Sequence, residues 1–244
     1  MLVRNGLVAD WRLSDGDFVR SFRLPTAEDK NEALRQISPI AREDRICFDE
    51  ITHTYTVDGV RVPVSVTGLT HRFREVFDPT AAIEQMKARD WDMKQENYRK
   101  EDGDVMTDEE IAAAWRNNGE DQRSRGQLLH FHAECHLNGR IIGQPHSLEF
   151  GGILALTAVL RGMGWHPFRT ELCVFHCGLA VAGQIDALFV NNAGDGFCLV
   201  DWKNCRDVRF DSFQCSLREP LSHLEDSNGW HYALQLNVYK HIVE

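Results

Sequence analysis

The 244-residue chain predicts an α/β domain built on a central mixed β-sheet with helices packed against it. Three observations carry that expectation. Two apolar, strand-forming segments, Gly183–Val190 and Phe197–Asn204, flank a connection dense in turn residues, Asn191-Asn192-Ala193-Gly194-Asp195-Gly196, and read as a β-hairpin. Phe150–Gly162 is an apolar stretch of helical length, suited to packing on a sheet. Thr107-Asp108-Glu109-Glu110 fits a capping box, in which a threonine oxygen and a glutamate three residues on satisfy orphan amides at a helix start.

The elements follow in order. Residues 1–40, with Asp10-Trp11-Arg12-Leu13 and a short helical pattern near Ala27–Ile37, read as an N-terminal extension or cover, and residues 41–244 as the main domain. Thr54–Val57 and Val60–Val62 flank Asp58-Gly59, the strongest short hairpin signal. Ser65 or Thr67 then starts a helical stretch running past Arg72-Phe73-Arg74. Residues 88–106 are very polar and are expected to form a helix with an exposed loop. The capping-box helix carries Ile111 and Trp115, and a second helix is expected to take over near Ser124 or Arg125. On it His130 and Glu134, four apart, share a face. Thr170–Phe175 reads as a strand pairing with one that begins near Ala180. The last helix presents Tyr232, Gln235 and Tyr239 on one side, and the chain stops while still helical, as a fragment of a longer polypeptide with other domains would.

Composition narrows the classes. A hydrophobic content of 43% and a charged content of 26% are ordinary for a soluble protein. No stretch approaches the roughly 18 apolar residues a membrane span needs, and the N-terminus lacks a secretory run. An intracellular location without a membrane partner is the expectation. The net charge of −10 argues against a general basic coat for nucleic acid. Basic residues do cluster, Arg116, Arg123 and Arg125 before His130 and Lys203, Arg206 and Arg209 after the second acidic strand, which predicts a narrow positive groove on an acidic body. Seven scattered cysteines without a C-x-x-C pair read as free thiols.

The chemistry concentrates in the first hairpin. If it closes symmetrically about Ala193-Gly194, Asp186 stands directly opposite Asp201, with Cβ atoms roughly 4.5–5.5 Å apart. Strand periodicity puts Lys203 on the Asp201 face and turns Trp202 the other way. Two carboxylates that close repel unless a cation or a proton lies between them. A lysine beside them adds a point charge suited to a phosphate or an attacking water. Solvated acids on a strand are the bland alternative; the apolar strands around these two argue for a metal-dependent phosphodiesterase site.

Four short motifs extend this pattern in order: Gly126-Gln127-Leu128-Leu129-His130, Gly183-Gln184-Ile185-Asp186, Asp201-Trp202-Lys203, and Gln235-Leu236-Asn237-Val238-Tyr239. Together they resemble the G-x-x-x-H, G-x-x-D, D/E-x-K and Q-x-x-x-Y series of the PD-(D/E)XK nuclease superfamily, in its RecB-like exonuclease branch. Phe48–Tyr55 through Val64-Ser65-Val66-Thr67 is similar to the opening segment of phage-type and mitochondrial genome maintenance-type exonucleases. Ile185 stands where the superfamily name has a proline. The resemblance implies a restriction-endonuclease-like core and a deoxyribonuclease acting on DNA, single-stranded or with free ends. It implies Mg²⁺ or Mn²⁺ held by His130, Asp186, Asp201 and the carbonyl of Trp202, with Lys203 acting on the water and Gln235 and Tyr239 lining the groove. Glu171 occupies a position that is often acidic in this branch, where it orients a water or metal or simply ends the strand. A cap-snatching-type RNA endonuclease and a catalytically silent nucleic-acid-binding module are the alternative readings.

Overall fold

The computed structural model describes residues 33–140, 147–212 and 216–244. The expected Asp10–Leu13 feature and most of the 1–40 extension lie outside the described residues. The chain is mixed α/β with two sheets. Its elements run α1 (Ala33–Ile37), β1 (Ile46–Asp49), β2 (Thr54–Val57), β3 (Val60–Arg61), β4 (Val64–Ser65), α2 (Val66–His71), α3 (Pro79–Lys94) and α4 (Asp108–Leu137). They continue with α5 (Leu148–Gly162), β5 (Trp165–His176), β6 (Val181–Asn191), β7 (Phe197–Val200) and α6 (Asn228–Val243).

A small antiparallel sheet, β1-β2-β3, carries the Asp58-Gly59 hairpin, with Thr56 opposite Arg61 and Val57 opposite Val60. Both turn residues are left-handed, at φ 51° and 79°, as a tight hairpin turn requires. The main sheet is mixed and centred on β6. β5 covers one edge of β6 along nearly its whole length, antiparallel. The other edge is shared: β4 pairs in parallel at Val181 and Ala182, and β7 pairs antiparallel from Ala187 to Val190. Between them Gly183–Asp186 face no strand on that edge.

Two cores hold this sheet. Leu129, Ala133 and Leu137 of α4 and Phe150, Ile153 and Leu160 of α5 bury Ala187, Phe189, Val200 and Trp202. Val66 of α2 and Tyr239 and Ile242 of α6 bury Leu172, Val181, Ile185 and Leu188. A third cluster packs Ile46 and Tyr55 of the small sheet on Phe175 and Ala182.

Two expected boundaries move. The capping box at Thr107 forms, but α4 then continues unbroken for 30 residues instead of giving way to a second helix near Ser124. Gly119 and Gly126 each cost about 1 kcal/mol in a helix. With no proline between them, packing of the C-terminal half on α5 and the sheet carries α4 through. The helix after Ser65 stops at His71, short of Arg72-Phe73-Arg74, and Ser65 caps it by accepting from the Gly68 amide at 2.9 Å. No helix among the described residues is long and apolar enough to cross a membrane.

Candidate metal centre

The β6–β7 ladder runs Ala187↔Val200, Leu188↔Leu199, Phe189↔Cys198 and Val190↔Phe197, a register symmetric about Ala193-Gly194. One further step brings Asp186 opposite Asp201, just past the end of β7. The tie there is a hydrogen bond from the Trp202 amide to Asp186 Oδ2 at 2.6 Å. Trp202, 1% exposed, turns its ring into the core under α4 and α5 and so pins the residues either side of it.

On the other flank of β6, β5 runs Thr170↔Ala187 and Leu172↔Ile185, which sets Glu171 across from Asp186. Glu171, Asp186 and Asp201 thus form a row across three neighbouring strands. Glu171 is left-handed at φ 47°, a costly conformation for a residue with a side chain. The faces of β6 slip in the same place: Val181 and Ile185 join the α2/α6 core, as does Leu188, whereas Ala187 and Phe189 join the α4/α5 core. Strict alternation would have put Ile185 and Ala187 on one face.

His130 reaches the row from α4. Its Nδ1 lies 3.6 Å from Asp186 Oδ1 and 3.9 Å from Glu171 Oε1. Its Nε2 lies 2.9 Å from the Trp202 carbonyl oxygen. A carbonyl only accepts, so the hydrogen bond puts a proton on Nε2 and makes Nδ1 the ring nitrogen that faces the two carboxylates. Donating the second ring N–H to a carbonyl is how a metal-ligating histidine is held in register. His130, Glu171 and Asp186 each offer a donor atom within 4.8 Å of the others. One imidazole nitrogen and two carboxylates fit a divalent cation.

Asp201 stands outside that group. Its Oδ2 is 2.6 Å from Lys203 Nζ, and its Oδ1 accepts from Gln235 Nε2 at 3.1 Å. Lys203 Nζ also lies 5.4 Å from the Tyr232 ring centroid, within cation–π range. Gln235 in turn hydrogen-bonds Tyr239, whose hydroxyl is raised above its ordinary pKa by burial. Tyr239 packs where a side chain on Gly183 would be: a Cβ there would come within 2.7 Å of Tyr239 Cε1 and 2.8 Å of Val66 Cγ2. The glycine of the G-x-x-D segment is therefore a packing requirement of the Q-x-x-x-Y helix.

The electrostatics follow from this pairing. Burial pushes the Asp186 carboxyl up to about 6, with Asp201 adding to the rise against the pull of His130, Lys203 and the Trp202 amide. Proton or cation can relieve the same repulsion.

Neighbouring groups take other roles. The Trp202 carbonyl, expected as a ligand, is engaged by His130 Nε2 and orients that ring instead. Glu134 is buried on α4 and outside the donor group. The His132 and His136 rings lie edge-on to Phe150, and burial lowers both below the usual histidine range. Arg123 and Arg116 are exposed and stand seven and fourteen residues before His130, which places all three along one side of α4. Of the second basic group, Arg209 is paired with Asp207 at 2.7 Å. Sequence reasoning had named Glu171 without fixing its role; the only signal for it was an acid on the strand before Asp186. Comparison of the chain with family models, curated proteins and solved structures finds no match.

Proposed function

We propose that the protein is a divalent-cation-dependent nuclease of PD-(D/E)XK type, hydrolysing phosphodiester bonds of DNA in an exonuclease-like manner. The observation that carries the reading is the carboxylate row with a histidine at one end and a lysine at the other. His130, Asp186 and Glu171 would hold Mg²⁺ or Mn²⁺, and the imidazole nitrogen favours the softer Mn²⁺. A bound cation there would lower the pKa of a water and neutralise charge on the scissile phosphate.

The protein's own groups supply the rest. Asp201 and Tyr232 hold the Lys203 ammonium beside the row, where it can orient a water and balance charge that builds on the phosphoryl oxygens. Gln235, fixed by Tyr239, keeps Asp201 turned toward Lys203. Arg116 and Arg123, bordering the open glycines Gly119 and Gly126, give a strand approaching along α4 both charge and room.

Purified protein with Mn²⁺ should degrade end-labelled linear DNA and spare a covalently closed circle. Cleavage of the circle at an equal rate would make the action endonucleolytic. No cleavage of DNA, with cleavage of RNA, would favour the cap-snatching-type alternative. Binding without cleavage of either would leave the silent-module reading.

A further inference from the structure

A second concavity, of about 240 Å³, opens between the β2–β3 hairpin and α2. Its lining includes His53, Tyr55, Arg61, Ser65, Gly68 and Arg72 and contains no carboxylate. That is unusual in a chain with 37 acidic and 27 basic residues. Several other arginines are neutralised: Arg45 clamps Asp58 on the same hairpin, Arg218 holds Glu75 and Arg169 holds Glu43. Arg61 and Arg72 are exposed and have no acidic partner among the described residues.

We propose that this pocket is a phosphate-binding subsite that grips the backbone of a nucleic-acid strand bound at the carboxylate row. The inference rests on the nuclease reading for its substrate, but the pocket's chemistry stands on its own. Two guanidinium forks directed at one concavity suit the tetrahedral oxygens of a phosphate group, which they can engage bidentately. The Ser65 oxygen already accepts the Gly68 amide, so its own hydrogen is left to donate outward. His53, held left-handed at φ 50°, sets an imidazole at the rim.

The pocket also lies on the element that pairs with the strand carrying Asp186. Tyr55, one of its lining residues, is buried and packs with Phe175 and Ala182 of the main sheet. Ser65 pairs with Ala182, four residues before Asp186 on β6. At about 3.3 Å per residue this is roughly 13 Å along the strand. The pocket would therefore grip a phosphate of the same strand a few nucleotides from the scissile one.

The test is fluorescence anisotropy with a labelled single-stranded oligonucleotide in EDTA, so that no cleavage intervenes, for the parent, Arg61→Ala, Arg72→Ala and the double variant. Each single change should weaken binding about tenfold, and loss of one phosphate contact should lower the salt dependence by about one ion. Melting temperatures should hold, because both side chains are exposed. Oligonucleotides with and without a 5′-phosphate separate the two sources of the group. Equal losses mean internal phosphodiesters, and loss confined to the phosphorylated strand means a terminal phosphate. Parental affinity and parental salt dependence in the double variant would overturn the proposal. Asp201→Ala, run alongside with Mn²⁺, separates this from the nuclease reading: it should keep EDTA-phase binding and lose cleavage, and parental cleavage would sink the nuclease reading alone.

Discussion

Asp186 and Asp201 come from facing positions of one hairpin, yet their surroundings differ in kind. Asp201 has a lysine on one oxygen and a glutamine amide on the other. Asp186 has a backbone amide on one oxygen, while its other faces Glu171 and the Nδ1 side of His130. One half of the row is neutralised from within. The other half sets two carboxylates beside one imidazole, and burial lifts the Asp186 carboxyl to about 6, with Asp201 adding to the rise. Two identical side chains at mirror positions are thereby given different tasks, one to hold a cation and one to hold a lysine.

Substitution of the two aspartates should expose that difference most sharply. Asp186→Asn, which removes the charge but keeps an acceptor for the Trp202 amide, is expected to abolish cleavage, by a thousandfold or more, and to remove Mn²⁺ binding, while the metal-free fold gains stability. The gain at neutral pH is at most about 3 kcal/mol, from roughly two pKa units at 1.36 kcal/mol each. Asp201→Ala should also lose cleavage, but it should destabilise the fold by about 1–3 kcal/mol because Lys203 and Gln235 lose their acceptor. Chemical denaturation in EDTA checks both; equal signs for the two variants would erase the distinction.

Lys203→Ala comes next. Cleavage should fall by about 10²–10³, the usual range for loss of a group that stabilises transition-state charge, with Mn²⁺ affinity kept within a few fold. Near-parental turnover would make Lys203 a partner of Asp201 only.

The pH dependence is smaller and has a definite sign. A carboxyl whose folded pKa is raised adds stability that is present at low pH and lost as pH rises from about 4 through about 6. Metal-free protein should therefore lose stability across that window, and Asp186→Asn should flatten the slope. Mn²⁺ competes with the same proton, so its affinity should fall up to tenfold per unit below pH 6. A flat profile in the parent would show that Asp186 titrates normally.

Much of this arrangement was legible in the sequence. The turn-dense Asn191–Gly196 implied the symmetric hairpin register, and Asp58-Gly59 and the Thr107 capping box marked elements that form as expected. Which of the acids group together was not legible. That depends on the register of β5 against β6, on a left-handed residue at Glu171 and on a slip of faces near Asp186. All three are long-range outcomes of packing between two cores, and no local residue pattern encodes them. Local rules also placed a helix break near Ser124, where tertiary packing overrides the weak helix propensity of two glycines.

His130→Ala should have the mildest effect of the ligand changes, weakening Mn²⁺ by about 10–100-fold and Mg²⁺ less, since the lost nitrogen matters more to the softer ion. His132→Ala and His136→Ala should leave metal affinity alone, because their rings pack on Phe150.

The central claim is that His130, Glu171 and Asp186 together hold a divalent cation, and Glu171→Gln tests it most directly. Glutamine keeps the size of the side chain and removes only the charge. Calorimetric titration with Mn²⁺ should give one site in the parent, weakened at least tenfold in Glu171→Gln and left within a few fold in Lys203→Ala. A parent that binds no Mn²⁺, or a Glu171→Gln variant that binds it as tightly as the parent, would contradict the account.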